Sequence, residues 1–154
     1  MSDTLIKVRD QVQIKVPKSK VWEIISDFGN VSRWHPYMTQ SDIIGSSNRG
    51  VGTERSSEGL QAGTLTEKVV AWDEGNSITY EMTVKPLAMS MLSISGEGDQ
   101  TLVTSDFQVD PGTEEESPGL DRPGYEKQLQ DMLKVIGLGL KMYAEHGQKL
   151  ALPS

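Results

Sequence analysis

No cysteine occurs among the 154 residues, which excludes disulfides, thiol nucleophiles and thiolate metal sites. Histidine is almost as scarce: His35 and His146 stand far apart. A transition-metal centre built on imidazole is therefore not expected, and no cofactor is assigned. Basic residues are in deficit, 15 against 22 acidic, and the net charge of −7 opposes a phosphate backbone, so nucleic acid is not an expected partner. No apolar run approaches the roughly 20 residues of a membrane span, which argues against membrane insertion. The opening Met-Ser-Asp-Thr-Leu-Ile-Lys has no apolar h-region, so a secretory signal is not expected either. The G-x-S-x-G elbow, the P-loop and a strand-linked G-x-G-x-x-G are missing too, and hydrolase, nucleotide and nicotinamide chemistry lose support. These absences lead us to expect one cytoplasmic domain spanning residues 1–154.

What is present is patterned. Ile6, Val8, Val12, Ile14 and Val16 alternate with Lys7, Arg9, Gln11, Gln13 and Lys15, the mark of a half-buried strand. Asp10 falls on the apolar face of that pattern. Six of the fifteen basic residues lie between Lys7 and Arg33, and a solvated strand face accounts for them more simply than an anion site. After Pro17, apolar residues at Val21, Trp22, Ile24, Ile25 and Phe28 form the stripe of a short amphipathic helix. Gly29 reads as its stop, and Asn30 as the cap of a second, very short helix ending at His35-Pro36. Strand candidates follow at 39–46, 51–58, 64–72, 77–84, 89–95 and 101–109, separated by turn residues such as Lys85-Pro86. Residues 111–124 form a polar Pro/Gly-rich connection. A helix over 125–146 ends the pattern, stopped by Gly147, with Leu129, Met132, Leu133, Ile136, Leu140 and Tyr143 on one stripe. Gly137 and Gly139 interrupt it at a cost of up to about 1 kcal/mol each; close packing on the sheet and space for a ligand are both open as reasons.

The motif V-W-x-x-x-x-D-F-G-x-x-x-x-W-H-P, from Val21 to Pro36, with this order of elements, resembles the START-like or SRPBCC superfamily, which holds the birch-pollen-allergen fold. Within it the polyketide cyclase/dehydrase branch is the most similar. The resemblance implies an α+β helix-grip fold. In it a seven-stranded curved antiparallel sheet wraps around a long C-terminal helix, with two short helices after strand one. It also implies a binding cavity between sheet and helix.

Turn arithmetic orders the middle strands. A three-residue loop Leu60-Gln61-Ala62 between Gly59 and Gly63 sets Arg55 opposite Glu67 and Thr53 opposite Val69. A two-residue turn Glu74-Gly75 between Asp73 and Asn76 sets Glu67 opposite Met82 and Val69 opposite Tyr80. Arg55, Glu67, Val69, Ala71, Ile78, Tyr80 and Met82 then share the concave face. The Arg55–Glu67 pair has two readings. It is a cross-strand ion pair closing the rim, or a ligand handle in which Arg55 holds a carboxylate or phenolate and Glu67 orients it or acts as a base. On the last strand, Val103, Ser105, Phe107 and Val109 should be interior, and Ser105 stands where the family often carries a large aromatic. For Met89, Met91, Leu92 and Ile94 the alternation is broken and leaves their direction open. His35 could serve as an acid/base at the cavity mouth, or its W-H-P corner could be structural, with the imidazole on a loop carbonyl. Asp27 reads as a cap for backbone amides.

Three functions follow. The first is binding of a small hydrophobic or aromatic molecule for carriage or sensing, with Trp34, Arg55, Glu67, Val69, Tyr80, Met82, Ser105, Phe107, Ile136 and Leu140 as site residues. The second is a cyclase/dehydrase-like enzyme using Glu67 or His35 as acid/base. The third is a protein-interaction module of the chaperone-activator kind, which needs an exposed apolar patch. The chain is expected to be a monomer or homodimer.

Overall fold

A computed structural model describes residues 5–60, 63–83 and 87–152. Gln61, Ala62, Val84, Lys85 and Pro86 lie outside the described residues, and with them the centre of one expected loop and the end of one expected strand. The chain runs β1 (Ile6–Ile14), α1 (Lys18–Ser26), a 3-10 helix (Phe28–Arg33), β2 (Met38–Ile44), β3 (Glu54–Gly59), β4 (Gly63–Asp73), β5 (Ser77–Met82), β6 (Ala88–Ser95), β7 (Thr101–Val109) and α2 (Arg122–His146). The seven strands form one sheet in the order β1-β7-β6-β5-β4-β3-β2, each neighbouring pair antiparallel. The long helix packs on its inner face, as the helix-grip expectation requires.

Helix α2 begins at Arg122, three residues before the expected start. Asp121 is its N-cap and accepts from the Gly124 amide at 3.2 Å. Pro123 fits the first turn, where a missing N–H costs nothing. A Cβ on Gly124 would stand 2.3 Å from the Asp121 carboxylate, so glycine there makes room for the cap. At the other end Gly147 takes the left-handed conformation (φ 69°) and returns its amide to Tyr143.

Of the two mid-helix glycines, Gly139 answers to close packing, while Gly137 has room for ordinary contact. A Cβ on Gly139 would meet Pro36 at 2.6 Å and the Trp34 carbonyl at 3.2 Å, and one on Gly137 would touch Asp10 and Val12 at 3.4 Å. The W-H-P corner is thus the seat on which α2 rests. Side chains of the same helix satisfy the backbone of edge strand β1. Gln130 donates to the Arg9 carbonyl (2.6 Å), Lys141 to that of Gln13 (2.9 Å), and Glu145 accepts from the Lys15 amide (2.8 Å). That coverage removes an exposed pairing edge.

Two local expectations are corrected. Gly29 does not stop a helix; it lies inside the 3-10 helix, where a Cβ would fall 2.5 Å from the Ile43 side chain. Its lack of a side chain lets the short helix press against β2. Asp27 makes no side-chain cap; instead both its oxygens accept from the Asn30 amide group, at 3.0 and 2.9 Å.

The hydrophobic interior gathers in two clusters. One, at the plug end, joins Ile14, Val21, Trp22, Ile25, Phe28, Val31, Trp34, Val69, Ile78, Leu92 and Leu140 under α1 and the 3-10 helix. The other, at the far end of α2, holds Ile6, Val8, Ala88, Val109, Leu129 and Leu133.

Candidate functional site

The β3–β4 register is as expected: Arg55 faces Glu67, and beyond the strand end the Val69 amide donates to the Thr53 carbonyl at 2.8 Å. Between β4 and β5, Glu67 faces Met82 and Val69 faces Tyr80. The turn beyond them differs, however. Asp73 pairs with Ser77 across three residues, Glu74-Gly75-Asn76, with Gly75 at φ 83°. A bulge at Val70 absorbs the extra residue, so that Trp72 rather than Ala71 faces Ile78. Ala71 is therefore exposed on the outer face, a correction to the expected inner set. Pairing also settles β6. Leu92 opposes Ile78 and Ser105 and points inward with Ile94, while Met89 and Met91 point outward.

The Arg55–Glu67 pair lies inside the protein, at 4% and 8% exposure. Arg55 Nε donates to Glu67 Oε1 at 3.0 Å and its Nη1 donates to the Phe28 carbonyl at 3.1 Å. The guanidinium also lies 3.8 Å from the Phe28 ring centroid and 4.7 Å from that of Tyr80, a cation held between aromatic faces. Every one of these contacts ties strand β3 to the 3-10 helix or to the neighbouring strands. The pair is a buried structural anchor rather than a rim pair. Burial pushes the adjacent Tyr80 phenol above its ordinary value, with Arg55 opposing, so it carries its proton at neutral pH.

His35 is buried against Trp34 and Tyr37. Its Nδ1 accepts from the Tyr37 amide at 3.2 Å, so the imidazole bonds an N–H rather than the expected carbonyl. Burial first, and then the charges of Arg55 and Lys149, push its pKa down to about 3. It is neutral at physiological pH.

The remaining site candidates divide by accessibility. Trp34, Val69 and Leu140 are closed within the plug-end core, and Ser105 is 6% exposed. Tyr80, Met82, Phe107 and Ile136 also face inward but are only half-buried. Two residues outside the expected site set join them. Ser90 sits between Tyr80 and Phe107 in the register, and Met132 stands on the far-end cluster; both are half-buried. These partly exposed side chains lie along the inner sheet surface and the flank of α2.

A second feature had no sequence signal. Glu74, in the β4–β5 turn, accepts from Trp22 Nε1 (2.6 Å) and Trp72 Nε1 (3.0 Å) and pairs with Arg49. These donors hold its carboxyl below the usual range and draw three distant segments together. Beside it an open groove of about 630 Å3 runs between α1 and the loop carrying Asn48 and Arg49, outside the concave face. Among the described residues no group of His, Cys, Asp and Glu could hold a metal ion. Nor is any helix among them long and apolar enough to cross a membrane.

Comparisons with known proteins agree with this architecture. A START superfamily protein from Mycobacterium smegmatis superposes with a TM-score of 0.77 at 18% identity, covering 92% of this chain and 99% of its own. An uncharacterized protein from Bacillus thuringiensis gives 0.74 at 15% identity, with coverage of 90% and 98%. A protein from Thermobifida fusca gives 0.72 at 22% identity, with coverage of 94% and 97%. At such identities the likeness is one of fold. No curated protein matches the sequence. The profile of the family described as polyketide cyclase / dehydrase and lipid transport matches residues 6–138, and the chain belongs to that family.

Proposed function

We propose that the protein binds a small hydrophobic or aromatic molecule between the inner face of β5–β7 and the flank of α2, as a carrier or sensor. The observation that carries this reading is the partial accessibility of Tyr80, Met82, Phe107, Met132 and Ile136, all directed inward. Large apolar side chains facing a sheet–helix interface are ordinarily closed by their neighbours, because each buried one contributes about 1.5–3 kcal/mol. Leaving several of them half-covered on one surface gives an apolar wall with a few polar groups, the make-up of a ligand pocket. Acid–base catalysis has less behind it: Glu67 is engaged by Arg55, and His35 is closed, neutral and committed to Tyr37.

Titration with a hydrophobic fluorophore, followed by competition with phenolic and fatty compounds, tests the proposal. Saturable one-to-one binding by the native protein is expected, lost when Met82→Trp fills the space. Native mass spectrometry of protein purified from its own host should show a bound mass. Absence of saturable binding, or affinity unchanged by Met82→Trp, would refute the site.

A further inference from the structure

We infer that the site selects neutral ligands carrying a hydrogen-bonding oxygen and rejects carboxylates, a conclusion that rests on the binding reading above. The argument is one of charge. Among the described residues, the inward-facing charges of the sheet are Arg55, Glu67 and Asp10. Arg55 is the one cation of the three; it is 4% exposed, and its charge is already balanced by Glu67. Nε is on Glu67, Nη1 on the Phe28 carbonyl, and its faces lie against the rings of Phe28 and Tyr80. The two remaining charges are both negative. Asp10, half-buried on β1 opposite Ser105, has no ion pair or hydrogen bond among the described residues. An entering carboxylate would give up its hydration without gaining a cation, and would meet negative charge besides. The handle reading, with Arg55 gripping an anion, fails because the protein's own Glu67 already occupies that position.

What the half-open floor does offer is a phenol and a hydroxyl. Tyr80 and Ser90 are cross-strand partners whose hydroxyls bond each other, with Arg55 also on the phenol oxygen; both are inward and half-buried, flanked by Met82 and Phe107. One of the two O–H donors is left over by that pairing. A neutral phenol donates to a ketone, ester or hydroxyl oxygen, and a serine hydroxyl both donates and accepts. A ligand oxygen that takes the remaining donor replaces water there, whereas a plain hydrocarbon would cover it unpaired, so such a floor discriminates for oxygenated ligands.

A matched aromatic series decides the point. Displacement of a bound fluorophore at pH 7.5 is measured for 2-naphthol, methyl 2-naphthyl ketone, methyl 2-naphthoate, naphthalene and 2-naphthoate. The ketone and ester should bind at least about ten-fold more tightly than the naphthoate, equivalent to roughly 1.4 kcal/mol. Tyr80→Phe should weaken the ketone and naphthol several-fold and leave naphthalene unchanged. Glu67→Gln keeps an acceptor for Arg55 but removes its counter-charge, and should raise naphthoate affinity about ten-fold, the same roughly 1.4 kcal/mol. Should that variant fail to fold, the wild-type series and Tyr80→Phe still decide. Naphthoate binding as tight as its methyl ester overturns the charge argument while leaving the pocket in place. A fluorophore that does not bind at all overturns the pocket itself, and the selectivity with it.

Discussion

The two ends of the inner sheet surface are built from the same strands and the same alternation, yet they are closed to different degrees. At the plug end, α1, the 3-10 helix and the W-H-P corner lie over Ile14, Val69, Ile78 and Leu140, which are fully buried. Most polar groups there are paired as well: Arg55 with Glu67 and Phe28, His35 with Tyr37, and Thr101 with the Val16 carbonyl at 2.8 Å, the buried Ser57 hydroxyl being the exception. Toward the far end the cover is α2 with Leu120 of the loop before it, and Met82, Phe107 and Met132 stay half-buried. The difference teaches that the buried polar anchors act as fasteners. They fix the plug to the sheet so that the remaining surface can stay open without the fold closing over it. Changes at the plug end should therefore be read in stability, and changes at the open floor in binding.

The largest effect is expected from Arg55→Leu. It leaves Glu67 buried without its counter-ion, which typically costs about 3–5 kcal/mol. Arg55→Leu combined with Glu67→Leu should recover much of that, because replacing both charges removes the penalty. Urea unfolding of the two variants is the measurement. A single variant within about 1 kcal/mol of wild type would show the pair to be solvated, at the ordinary worth of a surface ion pair.

Next in size is Gly139→Val. The new side chain would strike the Pro36 ring and the Trp34 carbonyl, neither of which can rotate aside. A loss of about 2–3 kcal/mol is expected, at the upper end of overpacking costs. Gly137→Ala, which meets Asp10 and Val12 at ordinary contact distance, should be neutral or slightly stabilising through helix propensity. Equal losses at the two glycines would show that the W-H-P corner is not the seat of the helix.

His35 sharpens the same contrast through pH. Its folded pKa of about 3 lies below the ordinary value of 6.5, so the unfolded chain binds the extra proton. Stability is whole above pH 6.5 and declines as the pH falls from there toward 3. Linkage puts the loss at about 2 kcal/mol by pH 5. Unfolding at pH 7 and pH 5, in wild type and His35→Gln, separates this contribution from the carboxylates, which titrate lower. An unchanged difference between the two pH values in His35→Gln would assign the acid sensitivity elsewhere.

Much of the plug end was legible in the sequence, and less of the open floor. Two glycines bracketing a short loop brought Arg55 to Glu67, because a tight turn leaves few registers. The helical stripes and the Gly147 stop were readable for the same local reason. Ala71 was misplaced because Val69, Val70 and Ala71 are all apolar, so no alternation betrays the bulge between them. In Met89-Ser90-Met91-Leu92 the polar residue lies inward and both methionines outward; only the pairing with β5 and β7 reveals it. The Glu74 junction draws two of its three donors, Trp22 and Arg49, from segments remote in sequence, and no local pattern encodes such a meeting.

The smallest change in stability, and the sharpest comparison, comes from two serines. Ser105 and Ser90 are both inward residues on neighbouring strands, and both are small where bulk could stand. Ser105 is opposed by Asp10 and Leu92 and is 6% exposed, whereas Ser90, between Tyr80 and Phe107, is half-buried. The space expected beside Ser105 is thus filled by its neighbours, whereas Ser90 stays partly exposed beside Tyr80. Ser105→Leu should overpack the core at a cost of about 1–3 kcal/mol. Ser90→Leu should alter stability by less than about 0.5 kcal/mol, the range of substitutions at sites with room around them. It should nevertheless reduce fluorophore binding, because leucine would occupy the floor that the ligand needs. Denaturant unfolding and fluorophore titration of the pair measure both quantities. A Ser90→Leu protein as destabilised as Ser105→Leu, or one that binds as well as wild type, would erase the distinction between the closed and open ends.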